Sequence, residues 1–154
     1  MKKSAKLLAI CLPVLFTSCE KPLCNEKPND ETAGIVVRVL PENYLAYRQE
    51  VGDLARDGIH LTTEEQYRQV FDHCCAGKLE SVDFSKYDVL GASTINQGVG
   101  STYMRDVQVD SLSKKIKYTI TERYCRKSSP VDGKGNFVVV PKLPIGYSVE
   151  YVRK

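Results

Sequence analysis

The hydrophobic pattern of this chain changes after Gly77 from a period of about 3.6 residues to one of about 2, and this change limits the fold. In residues 103–109 and 115–124, apolar side chains alternate with polar ones, and a mostly polar turn at residues 111–114 separates the two runs. Such alternation is typical of a strand that buries one face. The two runs therefore predict an antiparallel hairpin with one side against a core.

Four further segments have the composition of strands. Residues 34–40 are rich in β-branched side chains and predict a first strand, and residues 87–94 predict another. Residues 137–140 are apolar on both faces, which indicates a central strand that follows a turn at residues 132–135. Residues 147–152 alternate again and predict the last strand.

Residues 63–74 carry the clearest helix pattern. A threonine precedes two acidic residues at its start, and Tyr67 and Phe71 share one face. Residues 42–56 also place apolar side chains at spacings of three and four, interrupted by Gly52, which predicts a second helix. The chain is therefore predicted to be α+β, with one or two N-terminal helices and an antiparallel β-meander of about five strands, folded as a sandwich or a half-barrel.

The N-terminal segment has the three parts of a bacterial lipoprotein signal. Three lysines form a cationic start, residues 7–16 are apolar, and two small residues precede Cys19. The apolar run is about ten residues long, whereas a membrane-spanning helix needs about 20. We therefore expect residues 1–18 to be a signal peptide that is removed, and Cys19 to carry acyl chains.

The same signal predicts where the mature chain is located. Acyl chains on Cys19 would attach it to a membrane of the cell envelope, and we expect the outer membrane, on its periplasmic or its cell-surface face. Residues 19–33 then comprise the lipidated cysteine and a polar, flexible tether. Residues 34–154 are enough for a single globular domain.

The charge of the chain argues against nucleic acid as a partner. The three lysines of residues 1–18 account for the whole excess of 22 basic residues over 19 acidic residues. The mature chain is balanced, so it lacks the long-range positive field of nucleic-acid-binding proteins.

Two segments resemble a known group of proteins. Residues 82–91 read VDFSKYDVLG and residues 136–150 read NFVVVPKLPIGYSVE. Both resemble segments of small lipoproteins of unknown function from Bacteroidota-type bacteria, and the resemblance covers residues 59–152. The strand layout resembles, more distantly, the C-terminal domain of a lipoprotein subunit that stabilises a bacterial surface protease complex. Neither resemblance supplies a catalytic motif, and both imply an interaction module.

Four cysteines follow Cys19, namely Cys24, Cys74, Cys75 and Cys125. An even number in an exported domain indicates disulfides, with three possible pairings. A bond between the two neighbours would form a strained ring, so we expect Cys125 to bond one of them. Cys24 would bond the other neighbour or stay free. The bridge to Cys125 would close a loop of about 50 residues and contribute about 3 to 4 kcal/mol of stability.

The run His73-Cys74-Cys75 leaves a metal or redox site open as an alternative, with Cys125 as a further ligand. Structural zinc sites usually space paired ligands by about two to four residues, and thiol exchange commonly uses C-x-x-C. The cysteines of this chain follow neither pattern. We therefore expect no metal and no cofactor.

Other candidate sites are weaker. The spacing S-x-x-K at residues 111–114 falls in a predicted exposed turn, and His60 and His73 are the only histidines available for a nucleophile relay. We therefore expect no catalytic residue. Arg105 falls on the core-facing side of its strand, so we expect it to be paired or to lie at an edge, where it could contact a partner.

These expectations favour a lipid-anchored, non-enzymatic binding or accessory module for another envelope protein. The tether, the β-rich domain and the lack of a catalytic motif in the sequence motivate this prediction. The alternative is a small thiol-dependent envelope enzyme, or a metal or redox protein, that uses Cys74 or Cys75.

Overall fold

Ten strands and one helix form the part of the chain that the structure describes. The computed structural model describes residues 29–41, 57–75, 79–128 and 133–154, with the backbone alone for residues 72–75. The elements are β1 Glu31–Gly34, β2 Arg38–Val39, β3 Ile59–Leu61, α1 Glu64–Cys75, β4 Tyr87–Ile95, β5 Gly98–Val99, β6 Thr102–Asp110, β7 Lys115–Arg123, β8 Arg126–Lys127, β9 Gly133–Pro141 and β10 Ser148–Arg153.

Two four-stranded sheets contain eight of these strands. Sheet A has the order β1-β6-β7-β10, sheet B has the order β2-β9-β4-β3, and β5 pairs with β8 in a separate ribbon. Strands β6 and β7 form the predicted antiparallel hairpin, in which Asp110 lies opposite Lys115. Strands β1 and β10 instead pair parallel to β6 and β7.

The helix, sheet B and sheet A form three layers around two cores. Phe71 of α1 contacts Phe137 of β9 edge to face, with their ring centroids 4.9 Å apart. Val138 and Val140 join a second buried cluster with side chains of sheet A, such as Tyr118. Sheet B is therefore buried on both faces, and the central strand predicted at residues 137–140 is confirmed.

The helix predicted over residues 63–74 is observed as α1. Thr63 Oγ1 accepts a hydrogen bond from Gln66 N–H at 3.2 Å, which satisfies one of the free donors of the first turn. The α+β prediction is confirmed in part, since the described residues combine this one short helix with β-sheets and are mostly β. The second predicted helix, over residues 42–56, lies outside them.

The strand order differs from the expected meander. Strand β4 pairs with β9, which is not the next strand in the sequence, and β10 joins sheet A instead of continuing sheet B. The side chains explain this order. Strand β9 is apolar on both faces and must be covered on both, whereas Val149 and Tyr151 of β10 contact only the core between the sheets.

The first predicted strand, residues 34–40, is divided between the two sheets. Strand β1 pairs in sheet A and β2 in sheet B, and the chain crosses from one to the other between them. Gly34 has a φ of 68°, and a Cβ atom there would lie 2.0 Å from Val107 O, so a side chain at this position would block the crossing. Because residues 31–33, expected in the tether, extend sheet A, the domain begins before residue 34.

The prediction of a turn at residues 132–135 is wrong for residues 133–135. Gly133 and Gly135 lie within β9, opposite Ile95 and Ser93 of β4. Glycine adopts extended conformations as well as turn conformations, so its presence did not require a turn here.

Candidate interaction surface

The turn between β6 and β7 is fixed by one carboxylate. Asp110 Oδ1 accepts hydrogen bonds from Leu112 N–H at 2.9 Å and Ser113 N–H at 3.2 Å, and Ser113 Oγ donates to Oδ2 at 2.6 Å. Lys114 completes the turn with a φ of 53°. Leu112 is 99% exposed on this ordered turn.

A second turn, before β10, presents another aliphatic side chain. Tyr147 N–H donates to Pro144 O at 3.3 Å, and Gly146 has a φ of 84°, as the third residue of a type II turn requires. Ile145 occupies the second position of this turn and is fully exposed, at 103%.

The two turns are neighbours in space. Ser148 N–H donates to Lys114 O at 3.2 Å, and Ser148 is the register partner of Lys115 at the start of the parallel β7 and β10 pair. Paired strands lie about 5 Å apart, so Leu112 and Ile145 are presented together at one end of sheet A. We call Leu112, Ile145 and the two lysines Lys114 and Lys115 the turn surface.

The turn surface carries positive charge. Lys114 and Lys115 supply this charge. Of the nearby lysines, Lys142 contacts the buried Asp88 and Lys117 lies opposite the exposed Glu150 of β10, so neither adds to it. Hydrogen bonds from the hydroxyl and N–H of Ser113 and from Leu112 N–H lower the pKa of Asp110. Asp110 therefore stays ionised and offsets one lysine, so the exposed Lys114 and Lys115 leave the turn with a net positive charge.

The exposed aliphatic side chains are not needed by the turns themselves. Carboxylate hydrogen bonds hold the first turn, and a glycine with positive φ holds the second, so a polar residue at Leu112 or Ile145 would serve as well. Burial of such a side chain against another molecule contributes about 1.5 to 3 kcal/mol. Two such side chains on an ordered backbone are therefore suited to binding, because the backbone loses little conformational freedom on contact.

A buried carboxylate holds the loop that leads to Ile145. Asp88 is 1% exposed, and its Oδ2 lies 3.0 Å from His60 Nε2 and accepts Leu143 N–H at 3.1 Å. Lys142 Nζ lies 2.8 Å from Oδ1 in an ionic contact, and it donates a hydrogen bond to Thr62 O at 3.0 Å. These contacts join β3, β4 and the loop after β9.

Asp88 is ionised in spite of its burial. Burial raises the pKa of this carboxyl, but the Lys142 ammonium, His60 and Leu143 N–H together outweigh burial and lower the pKa. The sequence does not predict this cluster around Asp88, because its pattern identifies His60 only as a candidate for a nucleophile relay. An aspartate beside the apolar run of β4 was the available signal, since buried carboxylates need partners.

Arg105 is not a surface contact. Its side chain is 1% exposed, its Nη1 lies 2.6 Å from Asp30 Oδ2, and its Nε donates to Asn136 Oδ1 at 3.0 Å. Asp30 Oδ1 also accepts Tyr103 N–H at 2.8 Å. Arg105 is therefore paired, as predicted. The prediction that it could contact a partner at the surface is wrong, because β6 directs its side chain into the core between the two sheets.

The cysteines can be placed only in part. Cys125 is disulfide-bonded. Cys74 and Cys75 are the last residues of α1, but their side chains, and those of Cys19 and Cys24, lie outside the described residues. The pairing, the lipidation and the thiol alternative therefore stay predictions. Within the described ranges, no group of three or more His, Cys, Asp or Glu side chains could hold a metal ion.

A cleft of about 350 Å³ lies at the ends of β4, β7 and β10. Its polar side chains are engaged with the protein. Glu122 accepts hydrogen bonds from Gln97 N–H at 2.8 Å and from Ser101 Oγ at 2.5 Å, and Arg153 Nε donates to Ser93 O at 2.7 Å. The turn surface is thus the stronger candidate site.

Comparisons with known proteins give no relative for this chain. No protein-family model matches it, and neither does any curated protein or solved structure. Among the residues that the structure describes, no helix has both the length and the apolar character that crossing a membrane requires.

Proposed function

We propose that this chain is a lipid-anchored cell-envelope protein that acts as a non-enzymatic binding module for another envelope protein. The observation that carries the proposal is the turn surface, in which Leu112 and Ile145 are fully exposed on neighbouring, hydrogen-bonded turns. The surfaces of soluble proteins commonly carry single exposed aliphatic residues, whereas apolar residues grouped on one surface mark interaction sites.

The fold is consistent with a folded binding domain that a tether separates from the lipid anchor. The two sheets share a core, so we regard the domain as a β-sandwich with α1 on the outer face of sheet B. Residues 20–30 would connect Cys19 to Asp30, which among the described residues makes the first contact with a buried side chain, that of Arg105. These eleven residues reach at most about 40 Å when extended.

Affinity capture of the acylated protein from its own membranes in mild detergent tests the proposal. We expect a partner that is recovered with the native chain and reduced at least about tenfold by Leu112→Ser with Ile145→Ser. Ile95→Ser is the matched control, because Ile95 is also exposed, at 60%, but belongs to β4. Equal recovery with all three proteins would count against the turn surface as the binding site.

The anchor is tested separately. Cys19→Ser should abolish incorporation of labelled palmitate, because the acyl chains are proposed to attach at this cysteine, and should leave residues 1–18 uncleaved. Palmitate labelling of the variant equal to that of the native chain would contradict the lipid anchor.

A further inference from the structure

The turn surface lies at the end of the domain opposite to the point where the chain enters it. Strand β1 runs parallel to β6, with Glu31 beside Met104, and Asp30 accepts Tyr103 N–H. The chain thus enters at the start of β6, whereas Leu112 follows the end of β6. Nine residues from position 103 to position 112 correspond to about 30 Å along the sheet.

The proposed tether is too short to return this end to the anchoring membrane easily. If Cys19 is acylated, residues 20–30 form the connection, and a flexible chain of this length has a root-mean-square span of about 18 Å. Contact between Leu112 and the same membrane would require a nearly extended tether that runs back along the whole domain. A domain held on this tether presents the turn surface away from the membrane.

The charge of the turn surface specifies its partner further. Lys114 and Lys115 are exposed beside Leu112, whereas Lys117 of β7 lies opposite the exposed Glu150 of β10 and adds no net charge. Asp110, the acidic residue of the turn, is engaged by Ser113 and Leu112. A complementary surface would therefore place acidic side chains around an apolar depression.

We propose that the turn surface binds a protein with an acidic rim around an apolar depression, at the end of the domain farthest from the anchoring membrane. This inference rests on the proposed function and names the chemistry of the partner. Leu112 and Ile145 fill the depression, and the lysines face the acidic rim. An anionic lipid surface offers similar chemistry, but the position of the chain's entrance to the domain favours a protein.

Photo-crosslinking in intact cells tests the inference. A benzoylphenylalanine placed at position 112 of the full chain should give one discrete protein adduct, and the same group at position 95 should give none. Lys114→Glu with Lys115→Glu should reduce the adduct at least about tenfold, because like charges then face the acidic rim. Arg126→Glu with Lys127→Glu, an exposed basic pair in β8, is the matched control and should leave the adduct unchanged.

Other outcomes separate the inference from the proposed function. An adduct at position 112 that resists reversal of Lys114 and Lys115 would overturn the acidic rim while the binding function stands. An adduct with a second copy of the chain would overturn the proposal that the partner is a different protein. No adduct at position 112, together with no partner in affinity capture, would overturn both proposals.

A vesicle-binding experiment tests the alternative that the turn surface binds anionic lipid. The processed chain, residues 19–154 with Cys19→Ser, should not sediment with vesicles of phosphatidylcholine and phosphatidylglycerol in equal amounts. Sedimentation that Leu112→Ser with Ile145→Ser abolishes would overturn the protein partner in favour of a membrane. Thermal unfolding of each variant, measured by circular dichroism, checks that it is folded, and these exposed positions should leave the midpoint unchanged.

Discussion

Asp88 shows how one buried carboxylate can support a distant surface. It contacts a histidine on β3, a backbone N–H and a lysine in the loop after β9, and this loop continues to the turn that carries Ile145. Because the carboxylate is almost completely removed from water, its contacts are stronger than the same contacts on the surface. Asp88 thus links the core of sheet B to the turn surface.

Replacement of Asp88 with asparagine should destabilise the fold. The amide keeps the size of the side chain but loses the charge that Lys142 and His60 contact, so we expect a loss of about 2 to 3 kcal/mol in the free energy of unfolding. Urea unfolding at neutral pH measures it. Asp83→Asn is the control, because this aspartate contacts Ser85 and Lys86 on the exposed surface and should matter less. Equal losses would contradict the role of burial.

The same carboxylate predicts how stability depends on pH. The pKa of Asp88 is lowered in the folded state, as is that of Asp30, where burial is outweighed by Tyr103 N–H and Arg105. A carboxyl whose folded pKa lies below its unfolded value of about 3.9 stabilises the fold above that value, and this contribution is lost as pH falls through the folded pKa. The free energy of unfolding should therefore drop below about pH 4, and Asp88→Asn should make the drop smaller. An identical pH profile for the variant would contradict this assignment.

Single residues were the hardest level to predict from the sequence. Alternation placed Arg105 on the core side of its strand correctly, since that pattern depends only on neighbours in the chain. Its partner Asp30 lies 75 positions away, in a segment whose composition predicted a tether. The exposure of Leu112 was equally hidden, because it depends on whether any other element covers the turn.

At the level of elements, the turn at Pro144, Ile145, Gly146 and Tyr147 depends on one backbone conformation. Gly146 has a φ of 84°, which is open to glycine and costs other residues about 1 to 2 kcal/mol. No atom lies within 4 Å of a Cβ built at this position, so the conformation alone requires glycine. The turn therefore presents Ile145 only while that conformation is kept.

Gly146→Ala should destabilise the domain by about 1 kcal/mol and weaken partner binding through a less ordered Ile145. Gly133→Ala is a suitable control, since its φ is not positive and a Cβ there would only reach Thr94 O at 3.9 Å. Thermal unfolding and affinity capture measure the two effects. An unchanged midpoint and unchanged capture for Gly146→Ala would show that the turn tolerates another conformation.

The sequence predicts well those elements that are determined by neighbouring residues. It does not predict pairings that depend on residues far apart in the chain. The β6 and β7 hairpin and α1 follow from alternation, a short turn and an N-terminal cap, all encoded within a few residues. The parallel pairings of β1 and β10 depend on which sheet still has an open edge and an uncovered face. That information belongs to the assembled domain and has no signal within either strand.

For the whole molecule, the ion pair between Arg105 and Asp30 joins the start of the domain to the core between the sheets. Arg105 is 1% exposed and Asp30 29% exposed, so the aspartate links the buried arginine to the surface where the chain enters. Asn136 and Tyr118 extend this polar contact, since the Tyr118 hydroxyl donates to Asn136 O at 3.3 Å. The proposed tether would therefore pull on a buried contact and not on a frayed end.

A double-mutant cycle tests this link. Asp30→Ala should cost about 2 to 4 kcal/mol, because it leaves the arginine buried without its partner, while Arg105→Met combined with Asp30→Ala should recover at least about 1 kcal/mol of that loss. The neighbouring pair of Glu31 and Arg123, at 3.1 Å with both side chains about half exposed, is the matched control and should show a coupling near zero. If Asp30→Ala costs no more than Glu31→Ala in urea unfolding, the buried pair does not hold the start of the domain. The tether would then be longer and would join the domain at a later point along β1, which runs toward the turn surface, so it would no longer hold that surface away from the membrane.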